Sequence, residues 1–144
     1  MKKCLNTICF YAVTVFLVYG IISGVAKAQE KDTVRITLAP KALAFNIESA
    51  EYQELLNGYP TSAGIFSGLV TIMPEATVGE HSTEHYEEVL VILSGEGQMI
   101  FENGNMLELK FGIMAYCPPH TAHNVKNTGK TPLKYLYIAT DTER

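Results

Sequence analysis

From Ala63 to the end of the chain, short apolar runs are cut apart by turn signals, and this punctuation restricts the fold more than any other feature. Ser94-Gly95-Glu96-Gly97 is one break, Asn103-Gly104-Asn105 a second and Asn127-Thr128-Gly129-Lys130 a third. Asn-Gly favours a tight hairpin because both residues accept positive φ. Between the breaks, the stretches 63–73, 79–84, 87–93, 97–102, 106–109, 113–116, 122–127 and 133–140 read as strands. Short strands with turns roughly every 8–12 residues build a sandwich or barrel, not a parallel α/β sheet. Gly64 and Gly68 inside the first stretch predict a bend or bulge. Upstream, Thr33–Leu38 alternates and reads as a strand, 42–47 reads as another, and Ser49 is placed to cap a short helix reaching Asn57.

Residues 1–28 are expected to be a signal peptide and not part of the fold. Lys2 and Lys3 precede the apolar run Ile8–Ile22, and Ala26-Lys27-Ala28 has the small-x-small form of a cleavage site. This reading exports the protein, to a periplasm or beyond, and ties it to a membrane only through that segment. An uncleaved anchor is the alternative, because the run approaches the ~18 residues that span a bilayer. Loss of the leader takes away Lys2, Lys3 and Lys27 with Cys4 and Cys9. Eight basic side chains then face 15 acidic ones, a net charge of −7 that suits no phosphate backbone, so no nucleic-acid partner is expected. Cys117 is the thiol that remains, so no internal disulfide holds the fold.

The four histidines fall in two clusters, His81 with His85 and His120 with His123. The first runs from Gly79 through Glu87 and Glu88 straight into the apolar run Val89–Leu93. A ligand-like cluster thus feeds directly into a buried strand. Side chains alternate along a strand, so Glu88, Leu90 and Ile92 share one face while Glu87, Val89 and Val91 share the other. With Glu88 inward, the outward valines need a cover, which predicts a homodimer. Two imidazoles and a carboxylate are a donor set for Fe(II) with open positions, and they equally suit Zn, Mn, Ni or Cu.

Gly79, His81, Glu88 and Gly95 resemble the first motif of the cupin superfamily, and Gly112, Pro118, His123 and Asn127 resemble its second. The likeness covers about residues 63–140. It implies an all-β, cupin-type jelly roll over 63–144, with residues 29–62 adding strands and a short helix that pack on the barrel. It also implies that both motifs meet inside, where His81, Glu88 and His123 hold a divalent transition metal. The sequence departs from the pattern at Thr83, a poor ligand standing where the family has its second histidine; His85 is the candidate to replace it. His120 also departs, and its pKa range suits a catalytic acid or base. Pro118-Pro119 is read as stiffening the loop that delivers His123. Cys117 is expected as a small buried filler, Tyr116, Tyr135 and Tyr137 as core, and Ile72, Leu90, Ile92, Met99 and Ile138 as an apolar pocket lining.

Two functions follow from the residues and the resemblance. One is a metal-dependent enzyme acting on a small, partly apolar molecule; the resemblance implies an oxygenase, a sugar-type isomerase or epimerase, or a decarboxylase. The other is a non-catalytic module that binds a small ligand, with Thr83 marking a reduced metal site. One scaffold hosts many functions, so fold class alone does not choose between them.

Overall fold

The computed structural model describes residues 38–143, and every regular element among them is a β-strand. The strands are β1 (Gln53–Asn57), β2 (Ile65–Ile72), β3 (His81–Ser82), β4 (Tyr86–Ser94), β5 (Glu96–Phe101), β6 (Met106–Lys110), β7 (Met114–Cys117), β8 (Ala122–Asn127) and β9 (Leu133–Asp141). They form a five-stranded sheet in the order β1-β2-β9-β4-β7 and a four-stranded sheet in the order β3-β8-β5-β6. All pairings are antiparallel. The chain passes from one sheet to the other at each of the glycine-bearing turns around Gly95 and Gly112 and again after Asn127, which is the jelly-roll path.

The inner faces close on one apolar core. Ile72, Leu90, Ile92, Ala115, Cys117, Leu133 and Tyr135 come from the first sheet, and Met99, Leu109 and Val125 from the second. Each buried Leu, Ile, Val or Met contributes on the order of 1.5–3 kcal/mol of transfer free energy. Alternation along β4 follows the parity expected from sequence: Leu90 and Ile92 are buried, while Val89 and Val91 face outward. Register places Val89 between Tyr116 and Ile138, and Val91 between Met114 and Leu136, on that outer face. Met114, Tyr116 and Ile138 are 70%, 50% and 39% exposed there, so Tyr116 is not core and Ile138 is not among the residues lining the barrel's inner cavity, contrary to expectation. The same alternation turns their neighbours Cys117, Tyr135 and Tyr137 inward.

The N-terminal expectations need correction. Ser49 caps no helix; its hydroxyl accepts the Glu51 N–H at 3.0 Å in a local turn, and the chain then enters strand β1. A helix of two turns is marginal alone, whereas Gln53–Asn57 gains a ladder along β2. The irregularity expected within 63–73 falls instead in β1, between Glu54 and Leu56. Gly68 has another role: a Cβ there would lie 2.8 Å from both Gln53 O and the Tyr52 ring, so glycine admits their close approach. Residues 42–47 make no strand. They are held by side chains, with Gln53 exchanging two hydrogen bonds of 2.8 Å with the Asn46 backbone and Lys134 Nζ donating to Ile47 O. Thr33–Thr37 and residues 1–28 lie outside the described residues.

The strand expected over 79–84 shrinks to His81–Ser82. Glu84 takes a positive φ of 49°, Ser82 Oγ accepts the Glu84 N–H at 3.0 Å, and Tyr86 N–H donates to Thr83 O at 2.8 Å. The chain therefore turns directly from one sheet into the other, between the first histidine and Glu88.

Asn127 closes the other end of the second motif. It is fully buried, its Nδ2 donates to Ile72 O and Thr131 O at 2.8 Å each, and its Oδ1 accepts Gly129 N–H at 2.8 Å. One side chain thus ties β2, β8 and the turn before β9 together. Replacing it with leucine takes the amide donor from two backbone carbonyls, each costing about 1–3 kcal/mol if it stays buried and unpaired, and leaves Gly129 N–H with Glu96 O alone at 3.2 Å. Asn127→Leu is expected to lower the free energy of unfolding by at least about 2 kcal/mol in urea titration; a midpoint unchanged from wild type would show that the clasp is dispensable.

Candidate metal centre

Three strands bring three side chains to one point. β3 and β8 pair so that His81 lies directly opposite His123, and the two ring centroids are 4.4 Å apart. Glu88, inward on β4 of the facing sheet, sets its Oε2 3.2 Å from Nε2 of His123. One donor atom from each of His81, Glu88 and His123 lies within 4.8 Å of the other two. His123 is buried, Glu88 is half-buried and His81 is exposed, so the cluster runs from the barrel interior to its mouth.

The rings are oriented by the backbone. His81 Nδ1 lies 3.0 Å from Gly79 O and His123 Nδ1 lies 3.3 Å from Thr121 O, each a carbonyl two residues back. A carbonyl only accepts, so each Nδ1 carries the proton and each neutral ring keeps its lone pair on Nε2. Metal-ligating histidines are held in this way. Nε2 of His123 is buried, and its near neighbour is the Glu88 carboxylate. With the proton on Nδ1, its lone pair faces a carboxylate lone pair at 3.2 Å. Two electron-rich atoms that close call for a cation between them. The donor set, the tautomers and the unpartnered nitrogen therefore fit a divalent transition metal.

The other expected site residues lie elsewhere. His85 is 40% exposed at its side chain, stacks on Tyr86 with centroids 4.3 Å apart, and approaches Asp141 at 3.9 Å. It does not join the three. His120 has a positive φ of 55°, is exposed, and borders an outer hollow with Phe101, Glu102 and Asn103. It does not reach the interior either, which removes the geometric basis for a role in acid–base chemistry there. Thr83 is buried and engaged: its hydroxyl donates to Pro118 O at 2.8 Å and accepts Thr121 N–H at 2.9 Å. Where a histidine would project, this chain has a clasp that fixes the loop leading to His123.

The cluster opens into a cavity of about 240 Å³ lined by Val70, Val78, Leu90, Val125, Tyr135 and Tyr137 as well as the three donors. Leu90 was expected there; Ile72, Ile92 and Met99 are packed in the core beyond it. Tyr135 and Tyr137 were expected as core only, yet both face the cavity. Their even spacing from Ala139, the register partner of Glu88, was the available signal. Burial is the leading cause that raises both phenols above the ordinary tyrosine range, so they stay protonated and able to donate. Tyr137 is steadied by Tyr52, whose hydroxyl lies 2.9 Å from its own. Burial, then the Glu88 charge, pushes the Cys117 thiol up to about 11. Cys117 sits 3.5 Å from His123 Nδ1 as an inert neighbour, not a nucleophile.

Comparison with known proteins agrees with this fold. A family model for the cupin domain matches residues 68–139. An uncharacterised protein of Methanocaldococcus jannaschii is 37% identical over 91 residues, which take in 55% of this chain and 72% of the relative. An oxalate-binding protein of Thermotoga maritima is 34% identical over 65 residues, covering 45% of this chain and 53% of that protein. Among solved structures, a predicted oxalate decarboxylase of Thermotoga maritima has a TM-score of 0.58 at 26% identity, over 62% of this chain and 78% of its own. A cupin of Methanocaldococcus jannaschii with a double-stranded β-helix fold has a TM-score of 0.62 at 15% identity, over 73% and 94%, and speaks to fold alone. The chain belongs to the cupin family.

Burial works against the charged form of His123, but contact with Glu88, the Thr121 carbonyl and the Glu88 charge outweigh it and raise the imidazole above its ordinary value of 6.5. In the metal-free protein, the stability this gives is present in full below pH 6.5 and is lost as pH rises through the raised value. A metal must displace the same proton, so affinity falls as the pH drops through that value. An NMR titration of metal-free protein is expected to place the His123 midpoint above 6.5, and Glu88→Gln to bring it down. A midpoint at or below 6.5, indifferent to Glu88→Gln, would contradict the pairing.

Proposed function

We propose that this protein is an exported cupin that holds one divalent transition metal through His81, Glu88 and His123 and captures a small carboxylic acid beside it. The observation that carries this reading is the convergence of donor atoms of His81, Glu88 and His123 within 4.8 Å of one another, with the buried Nε2 of His123 only 3.2 Å from the Glu88 carboxylate.

The nature of the ligand follows from charge. Among the described residues, no lysine or arginine lines the inner cavity. Two neutral imidazoles and one carboxylate leave a divalent ion with one net positive charge in surroundings that are otherwise valine, leucine and tyrosine. An anion entering this space therefore finds its counter-charge at the cluster, and the Tyr135 hydroxyl can donate to its far end. The cavity of about 240 Å³ suits a molecule of a few heavy atoms. The similarity to an oxalate-binding protein supports a small dicarboxylic acid. When bound, the metal would supply Lewis acidity toward the carboxylate oxygens. Similarity to a predicted oxalate decarboxylase supports a second reading, in which the same centre also turns the acid over.

Calorimetry with Mn(II) on chelator-stripped protein is expected to give about one equivalent, and His123→Ala to weaken it beyond the roughly 10–100-fold typical of outer-shell changes. Oxalate is expected to raise the melting temperature of the metal-loaded protein and to have no effect in excess chelator. A shift that survives the chelator would sink the metal reading, and formate or CO2 released on incubation would favour turnover.

Export and dimerisation belong to the same proposal. The leader-like residues 1–28 support the first, and the apolar outer face of Val89, Met114, Tyr116 and Ile138 supports the second. Protein recovered from its natural host is expected to begin at Gln29 and to scatter light at twice the chain mass. A start at Met1, or a monomer, would overturn the respective claim.

A further inference from the structure

A tyrosine outside the inner cavity is bonded to one in its wall. Tyr52 is 54% exposed and does not line the cavity, yet its hydroxyl lies 2.9 Å from that of Tyr137, which does. The two rings stack with centroids 6.4 Å apart and planes inclined by 17°. Gly68 makes this possible. It is the β2 register partner of Tyr137, and a Cβ on it would lie 2.8 Å from the Tyr52 ring and 3.0 Å from the Tyr137 ring. Any side chain there would drive the rings apart. A glycine inside a strand has no side chain to pack, and here the space it leaves goes to the tyrosine pair. The segment that carries Tyr52 is pinned as well. Gln53 exchanges two hydrogen bonds with Asn46, and Thr71 Oγ1 donates to Ser49 O at 3.0 Å. The pair is therefore held in place before any ligand arrives.

Two facing hydroxyls share two protons. One lies between the oxygens, and the other is free for a third group. If Tyr137 donates, the free proton is on Tyr52, at the surface. If Tyr52 donates, the free proton is on Tyr137, in the cavity wall. An acceptor in the cavity selects the second arrangement, and hydrogen bonds in such a chain strengthen one another. We propose that Tyr52 is a positioning residue, which turns the Tyr137 proton toward the second carboxylate of an acid held in the inner cavity and so favours diacids over monoacids. The inference rests on the small-acid reading above. Tyr135, two residues away on the same face of β9, serves one oxygen of that carboxylate and Tyr137 the other. Burial first, then the Tyr52 hydrogen bond and the charges of Glu54 and Glu88, hold the Tyr137 phenol above its ordinary range, so its proton is retained for donation. Glu54 is exposed, and water and salt screen its charge from an entering acid.

Calorimetry on Mn(II)-loaded full-length protein compares oxalate, which has a second carboxylate, with acetate, which has none. Tyr52→Phe keeps the stacked ring and removes only the hydroxyl. It is expected to weaken oxalate by at least about threefold, and to leave acetate and Mn(II) affinities unchanged. Tyr137→Phe is expected to weaken oxalate by about tenfold, about 1.4 kcal/mol. Adding Tyr52→Phe to Tyr137→Phe is expected to cost nothing more, because the chain is already cut. A merely structural role for Tyr52 would lower the melting temperature and weaken both acids alike. Oxalate binding indifferent to Tyr52→Phe, or an equal loss for both acids, overturns the positioning role and leaves the small-acid reading standing. Where acetate is too weak to titrate, the double variant decides: a Tyr52→Phe loss that persists beside Tyr137→Phe overturns the role. If Tyr137→Phe does not fold, the ratio of oxalate to acetate affinity in Tyr52→Phe decides alone. Mn(II) uptake with neither acid bound overturns the small-acid reading and this inference with it.

Discussion

A buried imidazole nitrogen and a carboxylate oxygen 3.2 Å apart, both presenting lone pairs, set the terms for the rest of this barrel. The backbone creates the conflict, because Thr121 O takes the only proton of a neutral His123 ring. Leaving such a group unsatisfied costs on the order of 1–3 kcal/mol, and more beside a charge. A proton on Nε2 relieves it, which is why His123 titrates high in the absence of metal. A divalent cation relieves it better, because it also uses the lone pair of His81, whose Nδ1 is held by Gly79 O in the same manner. Stability of the fold and occupancy of the site are therefore coupled: whatever cation fills the gap also ties the two sheets together.

Much of the surrounding structure serves to hold that gap at its width. The pairing of β3 with β8 fixes the two histidines side by side over only two residues of strand. So short a strand would be weak alone. The Thr83 hydroxyl supplements it by joining Pro118 and Thr121, while Thr83 N–H donates to Thr121 O at 3.2 Å. On the facing sheet, Glu88 is held between Ala139 of β9 and Cys117 of β7, in the middle of the barrel wall. Asn127 anchors the far end of β8 to β2 and to the turn before β9. Gly97 permits the sheet to close tightly there, since a Cβ on it would lie 2.5 Å from Lys126 O.

The parts of this arrangement that were legible in the sequence are those set by period and by local chemistry. Alternation from Glu88 to Ile92 gave the inward face of β4, and Asn-Gly with the other glycine breaks gave the succession of strands. The fit of His81, Glu88 and His123 to a known spacing singled out three residues that the fold does bring together. What could not be read depended on partners distant in sequence. Ser49 looks like a helix cap until a ladder with β2 is available to Gln53–Asn57. Ile138 reads as pocket lining until register with Val89 turns it outward. Thr83 reads as a lost ligand, and only the position of Pro118 and Thr121 shows what its oxygen does instead. His85 and His120 share composition with the site but not its geometry: one stacks on Tyr86 and the other sits on the outside at a left-handed backbone position.

The claim on which the account depends is that a cation belongs between the His123 nitrogen and the Glu88 oxygen. Anomalous scattering from crystals grown with Co(II), collected on either side of its absorption edge, addresses that directly. The account predicts a single strong peak within bonding distance of Nε2 of His81, Nε2 of His123 and the Glu88 carboxylate. No peak there, or the strongest peak at His85 with Asp141 or at His120, would contradict it.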